Sequence, residues 1–579
     1  MILQALTNYY NRLCEEGSTD IASAGFEKRE IPFIIVLNSE GCFVALEDTR
    51  KGDSIKRGGR VFAVPKGIKK TNRIAANLLW DNTAYVLAHP RQISILRGTR
   101  KRAEQQQREF IAVIRERFPS PVTDEGIRAV LSYLERGDYK QLYSHPAWAE
   151  LEKSGSILSF RLEKDSCLVC QRPAVIKSVT LIAGQDNGEG MQCCLVTGMN
   201  DIPARLHTSI KGVWGAQSTG ANIVSFNLDA FCSYGKKQGF NAPVGKRAEF
   251  AYTTAVNTLL CKGSQQRLQI GDTSTIFWGQ QKGGLEGVFA DLFTEPSKDA
   301  PERIESSVRN LLDTMLSNES TQFYILGIAP NAGRLAIRFW YSDTVGGVVR
   351  HIMQHFADCN IVHGPSQPSH LSLFRLLTST AVHGKAGNIQ PSLAGNLFRA
   401  IITGTSYSHS LLAAVILRCR KEREVTYPRA ALIKAILVRD ARETNSGGKL
   451  SMALDTMNQT HGYLLGRLFS VLERVEEGAI RGLNATIRDR FYGTASSTPS
   501  VIFPHLMKIK NHHIAKIENR GKTIKIEKEI GEIMAGFQGF PVNLSLTDQG
   551  HFAIGYYHQR QWYFTKQGDE FNSGEITGE

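Results

Sequence analysis

Leu454, Met457, His461, Leu464, Leu468, Val471 and Val475 recur at steps of three and four over three heptads. An apolar seam at that spacing is one side of an α-helix, and it holds together only when other helices cover it. The sequence supplies partners at 488–492, 501–518 and 522–535. A last helix opens with Ser545 and Asp548 in capping-box spacing and stacks Phe552, Tyr556 and Tyr563, read as core residues. From about residue 371 the chain is therefore expected to be an all-α bundle.

Upstream the periodicity is mixed. A short helix over 2–13 carries Ile2, Leu6, Tyr9, Tyr10 and Leu13 on one side. Strands are expected at 31–38 and 42–48 about a turn at Asn38–Gly41, and helices at 103–118 and 123–136. Glycine-rich, strand-like runs fill 158–280. A hairpin at 323–341 turns at Pro330–Gly333 and precedes a helix at 346–357. The expected fold class is thus α+β: a mixed, sheet-containing N-terminal region followed by a helical bundle. Three domains are expected, 1–160, 161–370 and 371–579, in line with a chain of 579 residues. No long repeat or low-complexity segment interrupts them.

Lys and Arg number 69 against 55 Asp and Glu, a formal charge of +14, and 42% of residues are hydrophobic. A well-packed protein with that surplus points to an anionic partner, nucleic acid first. A membrane is disfavoured, because "LLAAVIL" at 411–417 is far short of the ~20 apolar residues of a span. The start, "MILQALTNYYNRL", lacks the pattern of a secretory signal, so a cytoplasmic protein is expected. Ten cysteines in so long a chain, two of them adjacent at 193 and 194, read as thiols rather than a disulfide framework.

A search for chemistry finds no Walker loop, no H-E-x-x-H, no G-x-S-x-G elbow and no adjacent His-Asp pair. His512 and His513 are neighbours, which on a helix point about 100° apart and do not easily share a metal. Cys167 and Cys170 in "CLVCQRPA" offer a first zinc knuckle. At Cys194, "CLVTGMND" has Thr197 where the fourth thiolate belongs, so the site is incomplete unless Cys193 or His207 substitutes. Either a zinc ion held by Cys167, Cys170 and Cys194 or a metal-free, degenerate knuckle fits the spacing; no other cofactor is expected.

Cationic loops are the more specific signal. "RKGDSIKRGGRVFAVPKGIKKTNR", residues 50–73, holds nine Lys or Arg against Asp53 alone. Lys211, Gln217 and Ser218 lie in the glycine-rich "LHTSIKGVWGAQSTGANIVSFN", either a tight surface turn or a loop that lets backbone approach a phosphate or base. Lys236 and Lys237 follow with no acid nearby. Arg481, Arg488, Arg490, Lys508, Lys510, Lys516, Arg520 and Lys522 face only Asp489 and Glu518 in their stretch.

Long ordered blocks carry a resemblance: "GANIVSFNLDAFCSYGKKQGFNAPV", "AYTTAVNTLL", "GNLFRAIITGTSYSHSLLAAVILR", "LGRLFSVLERVEEGAIRGLNATIRDRFYGTASSTPSVIFPHLMKIKNHH" and "GYYHQRQWYF". They resemble the large subunit of the type I-C CRISPR Cascade, an RNA-guided DNA surveillance complex, from the first residues to about 566. The resemblance implies a non-catalytic subunit that sits with guide RNA and the other Cascade backbone subunits. It implies that this subunit reads a protospacer-adjacent motif in double-stranded DNA, promotes the R-loop and docks the recruited helicase-nuclease. It further implies that the bundle from about 452 is similar to a small subunit lining the displaced strand, produced separately from an internal start. Gly447-Gly448 precede Met452, so their GGN-GGN codons are placed as a ribosome-binding sequence, with Met457 the second candidate.

In such a complex the guide reads the target, and protein reads only the flanking motif. Lys51, Lys56, Arg57, Arg60 and Lys66 are expected on phosphates or on the guide RNA. Of Lys69, Lys70, Asn72, Arg73 and Asn77, the expected base readers are Asn72 with Lys70; Asn77 and Asn82 serve either there or in turns. Gln217 is the expected wedge at the first base pair. Arg488, Arg490, Lys508, Lys510 and Lys516 are expected to line a groove for single strand, with Tyr492 or Phe503 either stacking bases or packed in the core. The alternative function is an autonomous metal-dependent nuclease or RNA-processing enzyme of antiviral defence.

Overall fold

The computed structural model describes residues 1–16, 21–23, 25–50, 59–68, 70, 74–90, 97–184, 190–294, 303–444, 450–480 and 483–564. They fall into two compact units: Met1–Ser209 with Val224–Thr258, and Ile210–Ile223 with the residues from Leu259 onward.

The first unit opens with α1 (Ile2–Glu15), β1 (Phe26–Ile31), β2 (Phe33–Leu37) and β3 (Phe43–Asp48). The expected strand from 31 is divided at Pro32, which has no N–H for a ladder: β1 ends before it and pairs with β4 (Arg60–Pro65), while β2 begins after it. Next come β5 (Trp80–Asn82), α2 (Thr83–Leu87), α3 (Arg97–Arg117), α4 (Glu125–Arg136), α5 (Lys140–Tyr143), α6 (Trp148–Ser154) and β6 (Ile157–Leu162).

A four-stranded sheet has the order β3-β2-β6-β5, with β2 and β6 parallel. Its inner strand β2, "FIIVL", is buried at all five positions, as a strand covered on both faces must be. Phe110 and Ile114 of α3 and Ile127, Val130 and Leu134 of α4 share one core with Phe33, Ile35 and Phe160. The β2–β3 turn forms as expected: Asn38 Oδ1 accepts from the N–H groups of Glu40 (3.1 Å) and Cys42 (2.8 Å).

The expectation of strand-like runs through 158–280 holds only at the ends of that span. Between them lie α7 (Pro173–Gly184), the two-residue strands β7 (Gln192–Cys193) and β8 (Asn200–Asp201), a long irregular stretch and α8 (Lys246–Leu259). Glycines at positive φ, among them Gly198, Gly212, Gly215, Gly220 and Gly235, end each run before a ladder forms.

The second unit builds an antiparallel sheet of order β12-β11-β10-β9 from β9 (Arg267–Ile270), β10 (Thr273–Gly279), β11 (Gln322–Asn331) and β12 (Arg334–Thr344). The expected hairpin is present, its turn closing at Asn331 with Arg334 rather than at Pro330. α9 (Gly284–Phe293), α10 (Arg303–Asn318) and α11 (Val345–Cys359) belong to this half. The bundle comprises α12 (Leu373–Thr380), α13 (Pro391–Thr403), α14 (His409–Glu422), α15 (Tyr427–Glu443), α16 (His461–Ala479), α17 (Ile487–Ala495), α18 (Pro499–Ile514), α19 (Arg520–Met534) and α20 (Leu546–Phe564). One core runs from Phe277 and Phe323 of the sheet to Leu468 and Phe552 of the bundle.

The seam helix begins later than its periodicity predicts. Asp455 Oδ1 takes the N–H of Met457 (2.9 Å) and Asn458 Oδ1 that of Thr460 (3.0 Å), local bonds that compete with the helical ladder. Leu454 and Met457 therefore precede α16, and Met457 is 81% exposed. Within α16, Gly462 and Gly466 let α20 approach very closely. A Cβ on Gly466 would lie 2.0 Å from the carbonyl oxygen of Phe552. Ser545 caps α20 as its spacing predicts, Oγ accepting from Asp548 N at 3.1 Å.

Candidate nucleic-acid interface

In the first unit the basic segment after β4 is clamped on a short platform. Trp80 Nε1 donates to the Pro65 carbonyl (2.8 Å), and the Arg29 guanidinium lies 5.8 Å from the Trp80 ring. Asn77, 6% exposed, accepts the Ile68 N–H on Oδ1 at 2.9 Å. Lys70 Nζ lies 2.5 Å from both carboxylate oxygens of buried Asp81 and 3.5 Å from the Tyr85 ring centre. Burial pulls the Lys70 ammonium below its ordinary range despite Asp81 beside it.

Lys70 is thus turned onto Asp81, and Asn77 takes up the turn-fastening role that was one of its two expected uses, through its Oδ1. Asn82 caps α2, taking the N–H groups of Ala84 and Tyr85. Lys66 donates to Thr208 Oγ1 at 2.9 Å and sits 3.8 Å from Glu249. Arg60 is exposed, its guanidinium 5.1 Å from the Phe62 ring. Lys51, Lys56, Arg57, Lys69, Asn72 and Arg73 lie outside the described residues.

A second cationic tip in this unit was only half seen in the sequence. Asn241 laces the turn over 233–241: its Oδ1 takes Ser233 N (2.9 Å) and its Nδ2 donates to Lys236 O (3.2 Å) and Gln238 O (3.0 Å). Lys236 and Lys237 are exposed on that turn beside Tyr234, which is 97% exposed. An aromatic set between Ser233 and Gly235 and followed by two lysines was the available signal for Tyr234.

The zinc candidates of the same unit are not gathered. Among the described residues no group of three or more His, Cys, Asp or Glu is placed to hold a metal. Cys170 is wholly buried in the core 3.9 Å from Ser159 Oγ, and burial pushes its thiol up to about 12. Cys194 sits in a knuckle-shaped turn, Sγ accepting from Val196 N (3.4 Å) and Gly245 N (3.2 Å). Burial acts to raise that thiol, but the Thr197 hydroxyl and these N–H groups outweigh it and hold it low. His207 Nδ1 faces the Tyr252 hydroxyl at 2.5 Å, so it turns to a different partner.

In the second unit, the glycine-rich stretch forms a loop closed by paired backbone bonds between Ile210 and Ala221. Lys211, Gln217 and Ser218 are exposed on it.

The C-terminal cations divide into two kinds. Arg488 faces Glu473 (3.8 Å) and Asp489 (3.6 Å), and Arg490 pairs with Glu476. Glu473 and Glu476 are each 2% exposed; Glu473 also meets Tyr556 Oη (2.6 Å), Arg560 (3.0 Å) and Thr486 Oγ1 (2.9 Å). Buried carboxylates require such partners, and Arg488 and Arg490 supply them, the Arg490 side chain remaining 44% exposed. Lys508 and Lys516 are exposed and Lys510 half-buried, with no ion pair for any of them among the described residues. Tyr492 (1% exposed) and Phe503 (0%) are core residues, T-shaped to Phe469, which removes them as base-stacking platforms. Arg481 lies outside the described residues.

Exposed cations thus stand on fastened turns and on and beside α18. Residues 6–564 match the family model of CRISPR-associated proteins of the Csd1 type. The chain belongs to that family, the large subunit of the type I-C Cascade, and so to an assembly of Cascade subunits with nucleic acid. None of the curated proteins compared with it matches. Among the described residues no helix is long and apolar enough to cross a membrane.

Proposed function

We propose that this Cascade subunit acts in the cytoplasm, without catalysis of its own, to read the protospacer-adjacent motif in duplex DNA. In this reading it also promotes R-loop formation, holds the displaced strand and docks the helicase-nuclease. The observation that carries the reading is the placement of exposed cations on backbone that is already fastened: Arg60, Lys236 and Lys237 in one unit, Lys211, Lys508 and Lys516 in the other. Phosphate contacts made from such positions supply affinity without sequence information, and few base readers are then needed. Asn72, between Thr71 and Arg73 and two positions after Lys70 in the sequence, remains the proposed reader, with Lys51, Lys56 and Arg57 on phosphates. Gln217 is the proposed wedge.

The test is binding of short duplexes randomised at the flanking triplet by the complex assembled with guide RNA. Asn72→Ala is expected to flatten the triplet preference, and Lys56→Ala to weaken all duplexes alike. Equal losses on correct and incorrect triplets for Asn72→Ala overturn its assignment, and divalent-metal-dependent cleavage by the chain alone favours the nuclease alternative.

The internal start is proposed at Met452. Met452 and Met457 both precede α16, so a product from either keeps α16 to α20 whole. Recoding Gly447 and Gly448 with synonymous codons is expected to diminish the short product; an undiminished product excludes Met452.

A further inference from the structure

The closed loop of the second unit carries a residue that the reading above leaves without a task. Ile210 and Ala221 exchange both backbone hydrogen bonds, 2.8 and 2.9 Å long. Two tight turns follow each other inside, Ala216 N to Val213 O (3.2 Å) and Gly220 N to Gln217 O (2.9 Å). Gly212 and Gly215 take φ of +84° and +74°, and a Cβ at Gly212 would lie 2.7 Å from the Leu260 carbonyl oxygen. Trp214 N donates to Ser274 Oγ of β10 at 3.0 Å, so the turn is pinned to the sheet. Val213 is buried, yet its neighbour Trp214 is 65% exposed.

An indole left in water forgoes the large apolar burial that is the usual reason for a tryptophan, and here it is held out on backbone with little freedom to fold it back. What surrounds it along the loop indicates the class of ligand. The exposed neighbours are Lys211, Gly215, Gln217, Ser218 and Thr219, polar groups, a cation and a glycine, rather than the apolar ring that encloses a tryptophan anchor of a protein interface. No Asp or Glu occurs from residue 202 to 228, so nothing along the stretch opposes a polyanion. We propose that Trp214 is a stacking platform for a nucleobase at the opened end of the target duplex, working on the same rigid loop as Gln217. The amide enters the stack and the indole covers the base that the amide displaces. This inference rests on the DNA-reading function proposed above.

The test uses the guide-loaded complex and a motif-bearing duplex with 2-aminopurine at the first target position. With Trp214 present the probe is expected to be dim; Trp214→Ala is expected to brighten it and to weaken duplex binding about tenfold, the scale of one lost base–aromatic stack. Trp214→Phe, which keeps a π face, is expected to restore most of both signals. Unchanged fluorescence and affinity in Trp214→Ala overturn the proposal. So does loss of subunit assembly in that variant, which would assign the indole to a partner protein. If the unsubstituted complex itself fails to prefer motif-bearing duplexes, the DNA-reading function falls first and the platform with it.

Discussion

Arg488 and Arg490 on α17 and Lys508 and Lys516 around α18 look alike in the sequence, basic residues in a stretch with few acids. In the folded bundle they differ in kind. The arginines answer Glu473 and Glu476, carboxylates that α16 carries into the core, whereas the lysines look out from a ridge with no carboxylate across from them among the described residues. The difference shows that a local count of charges measures the surface only after tertiary partners have been subtracted. The first unit repeats the contrast, with Lys70 held by Asp81 and Lys236 and Lys237 on an open turn.

The sharpest way to break this comparison is to remove one buried carboxylate. Glu473→Ala leaves Arg488, Arg560 and the Tyr556 hydroxyl without their common acceptor, and is expected to lower stability by about 3–5 kcal/mol. Lys508→Ala is expected to stay within roughly 0.5 kcal/mol. Urea unfolding of the full chain reads both, and equal midpoints would erase the distinction.

The buried side has a second handle in pH. His355 packs against the Tyr407 hydroxyl (2.6 Å), Cys359, Asp358 and Arg439; burial first, then Arg439, holds its imidazole down at about 3. His558 bonds Tyr463 Oη at 3.0 Å and is held at about 3 by burial and by Lys434. Both are neutral when folded, while the unfolded imidazole takes a proton near pH 6.5. The stability they allow is therefore whole above pH 6.5 and is lost as pH falls from there toward 3. At pH 5 the loss is expected to be about 2 kcal/mol for each histidine. A thermal midpoint that holds steady from pH 7 to pH 5 would contradict it.

A smaller effect separates fastener from reader in the basic loop. Asn77→Ala removes the acceptor of the Ile68 N–H and is expected to cost about 1 kcal/mol of stability. A variant with native stability but altered triplet preference would return Asn77 to the readers. The smallest effect is electrostatic: Lys508→Ala and Lys516→Ala are each expected to reduce the salt slope of single-strand binding by about 0.7, with folding untouched. Arg490→Ala is expected to destabilise the bundle instead, and an identical slope change without destabilisation would place it back among the contacts.

The elements were readable where one local rule decides them. The period of α16, the Ser545 cap of α20 and the Asn38 turn each depend on residues a few positions apart. Pro32 and the Asp455 and Asn458 turns shifted element ends because a missing N–H or a competing side chain acts on one bond at a time. The candidate interface was less legible, since the fate of a cation depends on partners in other elements that its own stretch does not mark: Glu476 for Arg490, Asp81 for Lys70. A trace existed in α16, where "SVLERVEEG" sets Glu473 and Glu476 into an apolar stripe and so demands cations from elsewhere. Trp214 was missed because exposure of an aromatic is a property of the folded turn, whereas Tyr234 left a signal in its Ser-Tyr-Gly-Lys-Lys setting.

The clasp between Ile210 and Ala221 has a consequence for timing. A loop stitched shut in the free protein has already surrendered its conformational entropy during folding, so a ligand meets a finished template rather than a strand awaiting order. Discrimination at such a template falls on how long a correct partner stays, not on how quickly any partner arrives.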